Sequence, residues 1–327
     1  MRIFFAIILS AVLGAGMAAY FWVNQPLELT GGTADLSIEP GASAREVASS
    51  TAAAGVSVNP TLLYWWFRSS GDARQIRAGS YEVEPGTSPR TLLRKLVRGE
   101  EALRSVTLVE GWTFRQVMDA LGKAEQLKPQ TQGMTSDAIM LALGMPGVAA
   151  EGRFFPDTYT YSKGSADLAV LKRAARAMDK KLAWAWEQRS PQTPLQTPEQ
   201  ALILASIVEK ETGRGSDRPM VSSVFNNRLR IGMRLQTDPT VIYGLGESFD
   251  GNLRKKDLLT DTPWNTYTRA GLPPTPIAMP GTASLLAAVQ PAPSKALYFV
   301  ARGDGTSAFS ASLDEHNRAV NKHQRGQ

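Results

Sequence analysis

The 327-residue sequence contains no cysteine and only two histidines, His316 and His323. The missing cysteine excludes disulfides, thiolate metal sites and cysteine nucleophiles, although it leaves the cellular compartment open. Because no carboxylate cluster with ligand spacing accompanies the two histidines, we expect neither a metal ion nor another cofactor. The sequence also lacks a G-x-S-x-G nucleophile motif and a P-loop, so serine-hydrolase and nucleoside-triphosphate chemistry are not indicated.

The composition is otherwise that of ordinary folded domains. Hydrophobic residues make up 43% of the chain, and the mean hydropathy is −0.19. These values exclude a polytopic membrane protein and a mostly disordered chain. At about 100–200 residues per domain, the length predicts two or three compact units. The net charge of +6 favours acidic partners, among them nucleic acid, anionic lipid and anionic polysaccharide.

The first residues form a long uncharged run from Ile3 to Val23. A helix of about 20 residues spans about 30 Å, which matches the apolar core of a bilayer. Arg2 precedes the run, and no further Lys or Arg occurs before Arg45. This asymmetry predicts a cytoplasmic stub and a single transmembrane anchor over residues 1–23, with the rest of the chain outside the cytoplasm.

A cleaved signal peptide is the competing interpretation, because Gly16, Met17 and Ala18 resemble a small-residue cleavage site. The apolar and aromatic residues 20–23 lengthen the run and favour the uncleaved anchor. Both interpretations place the body on the periplasmic or extracytoplasmic side of the cytoplasmic (inner) membrane, where nucleic acid is not expected as a partner. The positive charge then suits lipid headgroups or a carboxylate-bearing wall polymer.

Three similar segments follow, and each is typical of a short strand, a glycine turn and a helix cap. They cover residues 36–45, 81–90 and 106–115, with turn glycines Gly41, Gly86 and Gly111 and caps Ser43, Ser88 and Thr113. With a further helix predicted in residues 60–67, the order over residues 34–103 is β-α-α-β-α. The repetition is either a shared supersecondary solution or a carbohydrate-binding module of the LysM kind.

The best-defined helix of the sequence runs from Thr197 to Gly213. Thr197 fits the N-cap, Pro198 the first helical position and Gly213 the residue after the helix. Apolar residues cover most of its circumference, which predicts burial in the centre of a domain. Its last turn carries Glu209 and Glu211, which point about 160° apart, so the two carboxylates cannot act as a pair on one bond.

Glu211 shares its face of this helix with aliphatic side chains. Desolvation by that face and the negative end of the helix dipole both raise the pKa of a carboxyl group. A carboxyl that stays protonated near neutral pH is suited to general-acid catalysis. The structural alternative is an ion pair between Glu209 or Glu211 and a basic residue such as Arg214 or Arg228.

The loops after this helix are dense in Asn, Gln, Asp, Thr and Tyr and poor in free charge, in residues 224–244, 264–267 and 271–277. Amides and hydroxyls supply directional hydrogen bonds, and aromatic rings stack on pyranose faces. These loops therefore predict a site for a neutral sugar.

The same segments carry a family resemblance. Residues 204–212 (L-A-S-I-V-E-K-E-T) and 227–244 closely resemble the MltG (YceG-like) endolytic murein transglycosylases, as do residues 151–159, 265–267, 271–274 and 298–301. The similarity extends from the anchor to about Asn321. The resemblance implies an α+β protein with one N-terminal transmembrane helix, a small LysM-like β-α-α-β subdomain over residues 34–103 and a larger α+β catalytic domain over residues 104–327.

The resemblance also implies a lytic transglycosylase, a carbon–oxygen lyase acting on a polysaccharide, whose catalytic glutamate maps to Glu211. Such an enzyme cleaves the β-1,4 bond between N-acetylmuramic acid and N-acetylglucosamine in nascent peptidoglycan strands and leaves a 1,6-anhydro-muramyl end. One carboxyl suffices, because the sugar supplies its own nucleophile. The family suggests peptidoglycan synthases as further partners.

A polar pocket is expected around the general acid, because an oxocarbenium-like transition state needs ordered polar groups. We predict that Gln236 and Asn265 hydrogen-bond the sugar and that Tyr267 stacks on it or orients it. Asp238 is expected either to line the pocket or only to cap a turn before Pro239.

Glu209 is expected to orient other groups or to be structural, and Glu151 is expected to be a further cleft residue. The family commonly has histidine near the C-terminal strand, where this chain has Ser307 and Ala308, so no histidine role carries over there. His316 matches the family in either a structural or a functional role. Two other functions stay open: a non-catalytic peptidoglycan-binding scaffold, and a muramidase-type hydrolase that uses a second carboxylate such as Asp238.

Overall fold

The computed structural model describes residues 2–324; Met1 and residues 325–327, the outer ends of the predicted anchor and catalytic domain, lie outside the described residues. The helices are α1 Arg2–Asn24, α2 Ala44–Ala53, α3 Pro60–Ser70, α4 Pro89–Arg98, α5 Phe114–Lys123, α6 Ser136–Ala142, α7 Asp167–Glu187, α8 Pro198–Glu211, α9 Arg218–Arg230, α10 Asp238–Leu245, α11 Lys255–Leu259, α12 Thr282–Val289 and α13 Leu313–Gln324. The strands are β1 Glu28–Leu29, β2 Ala34–Ile38, β3 Val56–Ser57, β4 Gly79–Val83, β5 Leu103–Thr107, β6 Thr158–Ser162, β7 Tyr298–Ala301 and β8 Ser307–Ser310. The predicted mixture of helices and strands is confirmed.

The strands of the described residues form two-stranded sheets, β1 with β3, β2 with β4, β5 with β6 and β7 with β8. The chain divides into two compact units, Met1–Arg104 with Thr160–Ser165, and Ser105–Tyr159 with Ala166–Gln327. The predicted domain over residues 104–327 includes the segment Thr160–Ser165, which the structure groups with the first unit. Strand pairing between residues about 50 positions apart cannot be deduced from local patterns.

Helix α1 is long and apolar enough over Ile3–Asn24 to cross a membrane. Its side chains are exposed along nearly the whole length, and only its C-terminal end packs against protein. There Val23 is buried, and Trp22 contacts the core of the first unit. An exposed apolar surface of this extent needs an apolar environment, which fits the predicted transmembrane segment.

The first unit is built on the antiparallel pair β2–β4, in which Ala34 lies opposite Val83. Strand β2 alternates buried and exposed residues, so one face of the pair covers a core that α2, α3 and α4 close. Ser43 and Ser88 cap α2 and α4, as predicted, and each forms a capping box with the residue three positions later. The predicted β-α-α-β-α order is therefore present, while the likeness to LysM stays a prediction.

An open cavity of about 930 Å³ lies within the first unit. We call its exposed basic residues Arg45, Arg68 and Arg74 the groove arginines. The Arg45 guanidinium lies 4.9 Å from the ring centroid of Tyr64, and Arg68 donates to the Tyr64 hydroxyl at 3.5 Å.

Helix α8 is the central element of the second unit, as its apolar circumference predicts. All residues from Ala201 to Val208 are buried, against α7, α9 and α12. Thr197 caps the helix by accepting from the Gln200 amide, and Pro198 opens its first turn. The helix ends at Glu211, and Thr212 in an extended conformation is the C-cap, so the last turn lies at the edge of the buried core.

Candidate active site

Glu211 is the last residue of α8, where the helix leaves the core. Its carboxylate Oε1 accepts a hydrogen bond from the Thr237 hydroxyl. Burial raises the pKa of Glu211 above that of an ordinary glutamate, and the neighbouring Asp238 charge raises it further, while the Thr237 hydrogen bond and Arg228 act in the opposite direction. The raised pKa agrees with the protonated carboxyl that the helix face predicts.

Thr237 is held in place by a cluster of threonine hydroxyls. It is buried, its amide donates to Thr266 Oγ1 at 3.1 Å, and its carbonyl accepts from the Thr240 hydroxyl at 2.7 Å. The hydroxyls of Thr240 and Thr266 lie 2.8 Å apart. Sequence reasoning did not single out Thr237, because only the tertiary fold brings its hydroxyl to the end of α8.

Arg228 is a buried cation near Glu211 that the prediction considered only as an ion-pair partner. Its Nε donates to the Leu297 carbonyl at 2.7 Å, and its Nη1 donates to the Leu235 carbonyl at 2.6 Å. Its guanidinium lies 5.3 Å from the ring centroid of Tyr298. Among the described residues Arg228 makes no ion pair with Glu211, so its positive charge acts through space. That charge lowers the pKa of Glu211, but by less than burial raises it.

Asp238 and Tyr267 form a second polar pair beside Glu211. The Tyr267 hydroxyl donates to Asp238 Oδ1 at 2.5 Å. Burial, the bond to Asp238 and the charge of Glu211 all raise the pKa of Tyr267, which stays a protonated donor. Asp238 is exposed at the first position of α10, where the helix N-terminus favours a carboxylate. The structure thus brings these two predicted residues together next to Glu211.

Gln236 has an exposed side chain and a strained backbone. Its φ of +48° lies in the left-handed region, which few non-glycine residues occupy. The Gln236 amide donates to the Thr266 carbonyl at 3.1 Å, which holds this conformation in place. Strain of this kind is frequent at functional sites, so the geometry leaves Gln236 as a candidate sugar contact.

Asn265 does not occupy the position predicted for it. Its side chain is fully buried, and its amide nitrogen donates to the carbonyls of Asp257, Leu258 and Thr260 at 2.7–3.3 Å. Its Oδ1 accepts from the Tyr267 amide at 2.8 Å. With no exposed surface, Asn265 cannot hydrogen-bond a sugar directly. It instead braces the loop that carries Tyr267.

Glu209 points away from Glu211, as the helical geometry predicts. Its Oε2 accepts from the Gly281 amide at the N-cap of α12 at 2.9 Å, and its Oε1 lies 3.5 Å from Arg218 Nη2. The side chain is buried, so the structural alternative from the sequence holds for Glu209, with Arg218 as the partner. The bond to Gly281 fastens the end of α8 to the start of α12.

Glu151 is also placed in the protein interior. Its carboxylate accepts from the Phe114 amide at the start of α5 at 3.0 and 3.2 Å, and it hydrogen-bonds the Tyr243 side chain. Burial raises the pKa of Glu151 to about 7, although these hydrogen bonds and Lys210 oppose the rise. With 7% of its surface exposed, Glu151 is a brace between elements rather than the predicted cleft contact.

His316 stacks on Tyr298, with ring centroids 5.2 Å apart, on the residue that Arg228 also contacts. Burial and the Arg228 charge lower the pKa of His316, and its Nδ1 is buried without a hydrogen-bond partner. The neighbouring Glu315 accepts from the amides of Ala311 and Ser312 at the start of α13. His316 and Arg228 thus both pack against the ring of Tyr298. Within residues 2–324 there is no cluster of three metal-ligating side chains.

Comparison with known proteins places these features in a family. A model of the YceG-like family matches residues 36–322. An endolytic murein transglycosylase of Bacillus subtilis (strain 168) is 29% identical over 311 residues, which cover 89% of this chain and 85% of the relative. Another, from Streptococcus pneumoniae (strain ATCC BAA-255 / R6), is 26% identical over 319 residues, covering 88% of this chain and 57% of the relative.

A solved structure supports the same assignment. The crystal structure of a YceG-like protein from Listeria monocytogenes is 30% identical, covers 88% of this chain and 99% of its own, and has a TM-score of 0.56. The family model spans most of the chain, including α8 and the loops that surround Glu211. On these matches, the chain belongs to the YceG-like family.

Proposed function

We propose that this protein is a membrane-anchored endolytic lytic transglycosylase of peptidoglycan, with Glu211 as its single general acid and base. The single observation that carries the proposal is the buried carboxyl of Glu211, with its raised pKa, at the polar end of α8. The names of the relatives from Bacillus subtilis and Streptococcus pneumoniae support the substrate and the reaction class.

The proposed reaction uses one carboxyl twice. Protonated Glu211 donates its proton to the oxygen of the β-1,4 bond between N-acetylmuramic acid and N-acetylglucosamine, and the bond from that oxygen to muramyl C1 breaks. The C6 hydroxyl of the same muramyl residue attacks C1, and the Glu211 carboxylate takes the hydroxyl proton. The product is a 1,6-anhydro-muramyl end, no water is consumed, and Glu211 returns to its protonated form.

The surroundings of Glu211 fit both halves of this cycle. Burial favours the protonated form that starts the reaction. The Thr237 hydroxyl and the nearby Arg228 charge then stabilise the carboxylate that forms when the proton leaves. A group that gives and takes one proton needs both influences, one that favours the protonated form and one that stabilises the carboxylate.

The exposed polar residues beside Glu211 are the proposed sugar contacts. Gln236 and Asp238 present side chains at the surface, and Tyr267 is partly buried with its hydroxyl on Asp238. Asn265, Glu209 and Glu151 are assigned supporting positions, because each is buried and bonded to backbone amides or carbonyls.

Helix α1 is the proposed anchor in the cytoplasmic (inner) membrane, in a single-pass orientation with the body outside the cytoplasm. Its apolar length and the absence of Lys and Arg between Val23 and Arg45 support this topology. A tethered enzyme meets newly polymerised strands before the mature wall, so we propose nascent glycan strands as its substrate and peptidoglycan synthases as its neighbours.

A muramidase-type hydrolase is the second candidate, because Asp238 lies close enough for its charge to raise the pKa of Glu211. Full-length protein incubated with peptidoglycan, followed by mass spectrometry of the products, distinguishes the two reactions. Anhydro-muramyl ends are expected; reducing ends would favour the hydrolase, and no products would favour a scaffold.

The variant Glu211→Gln should be inactive while keeping its unfolding temperature. Glu187→Gln, on the exposed side of α7, is the matched control and should cleave like the parent protein. Full activity of Glu211→Gln would refute the assignment of the general acid.

A further inference from the structure

Three arginines form an exposed row on α4 in the first unit. Arg90, Arg94 and Arg98 are spaced four residues apart, so they lie within an arc of about 80° on one side of the helix. The opposite side of α4 carries the buried Leu92, Leu93 and Leu96 of the core. We call the three exposed residues the arginine stripe.

The arginine stripe begins at the end of the apolar helix α1. The Arg90 guanidinium lies 5.6 Å from the ring centroid of Tyr20. The chain that leaves α1 is bonded to the turn before α4, because the Leu27 amide donates to the Thr87 carbonyl at 2.8 Å. Tyr20 and Trp22 are aromatic residues of the kind that sit at the membrane surface. The start of α4 therefore lies at the level of the lipid headgroups when α1 spans a bilayer.

The whole stripe stays close to that surface whatever the tilt of α4. From Arg90 to Arg98 the helix advances about 12 Å. That distance slightly exceeds the Debye length of about 8–10 Å at physiological ionic strength. The field of an anionic membrane therefore reaches Arg90 and Arg94 at any tilt, and it reaches Arg98 when α4 lies along the membrane surface. Arg98 lies 3.6 Å from Glu100, but Arg90 and Arg94 form no ion pair among the described residues.

We propose that the arginine stripe binds the headgroups of anionic phospholipids in the outer leaflet around α1. Guanidinium groups pair with phosphate oxygens in a planar, bidentate geometry, which suits phospholipid headgroups better than neutral sugars. The inference rests on the proposed anchoring by α1. The contact gives the first unit a second attachment to the bilayer, in addition to the transmembrane helix α1.

Protection of the arginines from chemical modification tests the proposal on the full-length protein. The protein is placed in nanodiscs of phosphatidylcholine alone, or with about 30% phosphatidylglycerol. An arginine-selective dicarbonyl reagent is added, and the rate at each arginine is read by mass spectrometry. The groove arginines, also exposed and in the same unit, are the internal reference.

Phosphatidylglycerol is expected to slow modification of Arg94 and Arg98 about fivefold, with the groove arginines changed less than about 1.5-fold. About 0.5 M salt should remove most of the difference. Equal rates in the two kinds of disc would overturn the proposal. Equal protection of the groove arginines would also overturn it, as would protection by acidic muropeptides but not by phosphatidylglycerol.

A pair of matched variants provides the second measurement. Native mass spectrometry counts the phosphatidylglycerol molecules retained from mixed-lipid micelles. The triple variant Arg90→Gln, Arg94→Gln and Arg98→Gln should retain about fivefold less than the parent. The triple variant Arg45→Gln, Arg68→Gln and Arg74→Gln should retain the parent amount. Both remove three charges, so unequal losses exclude an effect of net charge alone.

Alkaline extraction of vesicles separates this inference from the proposed anchor. Full-length protein that resists extraction is anchored by α1, and the stripe variant should resist equally. If the parent protein is extracted, the anchor proposal fails. The rates of arginine modification, measured on phosphatidylglycerol vesicles, then still decide whether the arginine stripe binds lipid.

Discussion

The Thr237 hydroxyl donates a hydrogen bond to the Glu211 carboxylate and joins the N-cap of α10 to the last residue of α8. The bond favours the ionised form of Glu211 and so opposes the rise in pKa that burial produces. Because a general acid must be protonated, its activity falls as the pH rises through its pKa.

Replacing Thr237 with Val should shift the alkaline limb of the pH profile to higher pH, because the carboxylate loses a donor and the pKa of Glu211 rises. We also expect the maximal rate to fall about tenfold, since the carboxyl loses its orienting partner. Thr237→Ser keeps the hydroxyl and should restore the parent profile. The readout is kcat/KM for anhydro-muramyl product across pH; an unmoved limb in Thr237→Val would contradict the role.

Replacing Asp238 with Asn should shift the alkaline limb of the pH profile of kcat/KM to lower pH. The negative charge of Asp238 raises the pKa of Glu211, so its removal lowers that pKa. The variant should still form anhydro-muramyl ends. Complete loss of cleavage at every pH, in a protein with the parent unfolding temperature, would instead favour a hydrolase with two carboxylates.

Replacing Asn265 with Ala should destabilise the fold by about 2–4 kcal/mol, because three carbonyls and the Tyr267 amide lose a partner in partly buried hydrogen bonds. Denaturant unfolding measures the change in free energy. Asn252→Ala, at an exposed position, is the control and should stay within about 0.5 kcal/mol of the parent. If Asn265→Ala kept the stability of the parent and only raised KM, the direct sugar contact predicted from the sequence would be supported instead.

Glu151 should make the stability of the protein depend on pH. Because burial raises the pKa of Glu151 to about 7, the folded protein binds this proton more tightly than the unfolded chain does. The resulting stabilisation is full below about pH 4.5 and is lost as the pH rises through about 7, with a magnitude of about 3 kcal/mol.

Glu151→Gln cannot ionise, so its unfolding free energy should decline less than that of the parent between about pH 5 and 8. The measurement is denaturant unfolding at closely spaced pH values. Glu187→Gln removes an exposed carboxyl and should follow the parent curve. Parallel curves for parent and Glu151→Gln would show that Glu151 is not the responsible group.

Local patterns predicted the elements that depend on local physics. The capping residues Ser43, Ser88 and Thr113 stand at helix starts, and the apolar circumference of α8 corresponds to full burial. These features follow from hydrogen bonds and side chains within a few residues of one another, so spacing alone is informative.

The predicted roles of polar residues were less secure, because one side chain can serve a ligand or the backbone. Asn265 and Glu151 have the chemistry of sugar contacts, yet both are bonded to main-chain groups in the interior. The sequence did not predict Thr237 as a neighbour of the Glu211 carboxyl, and it predicted Arg228 only as an ion-pair partner. Their actual relation to Glu211 exists only once α8, α9 and α10 pack together. Partner choice of this kind is set by tertiary structure.

The last turn of α8 does two different jobs, since Glu209 fastens Gly281 while Glu211 faces Thr237. A one-residue slip in this helix would rotate both carboxylates by about 100°. A slip that turns Glu211 away from Thr237 would therefore also break the hydrogen bond between Glu209 and Gly281 at the start of α12, and it would destabilise the domain. Correct packing of α8 therefore also orients the Glu211 carboxyl. In the folded protein this orientation exists before any substrate binds.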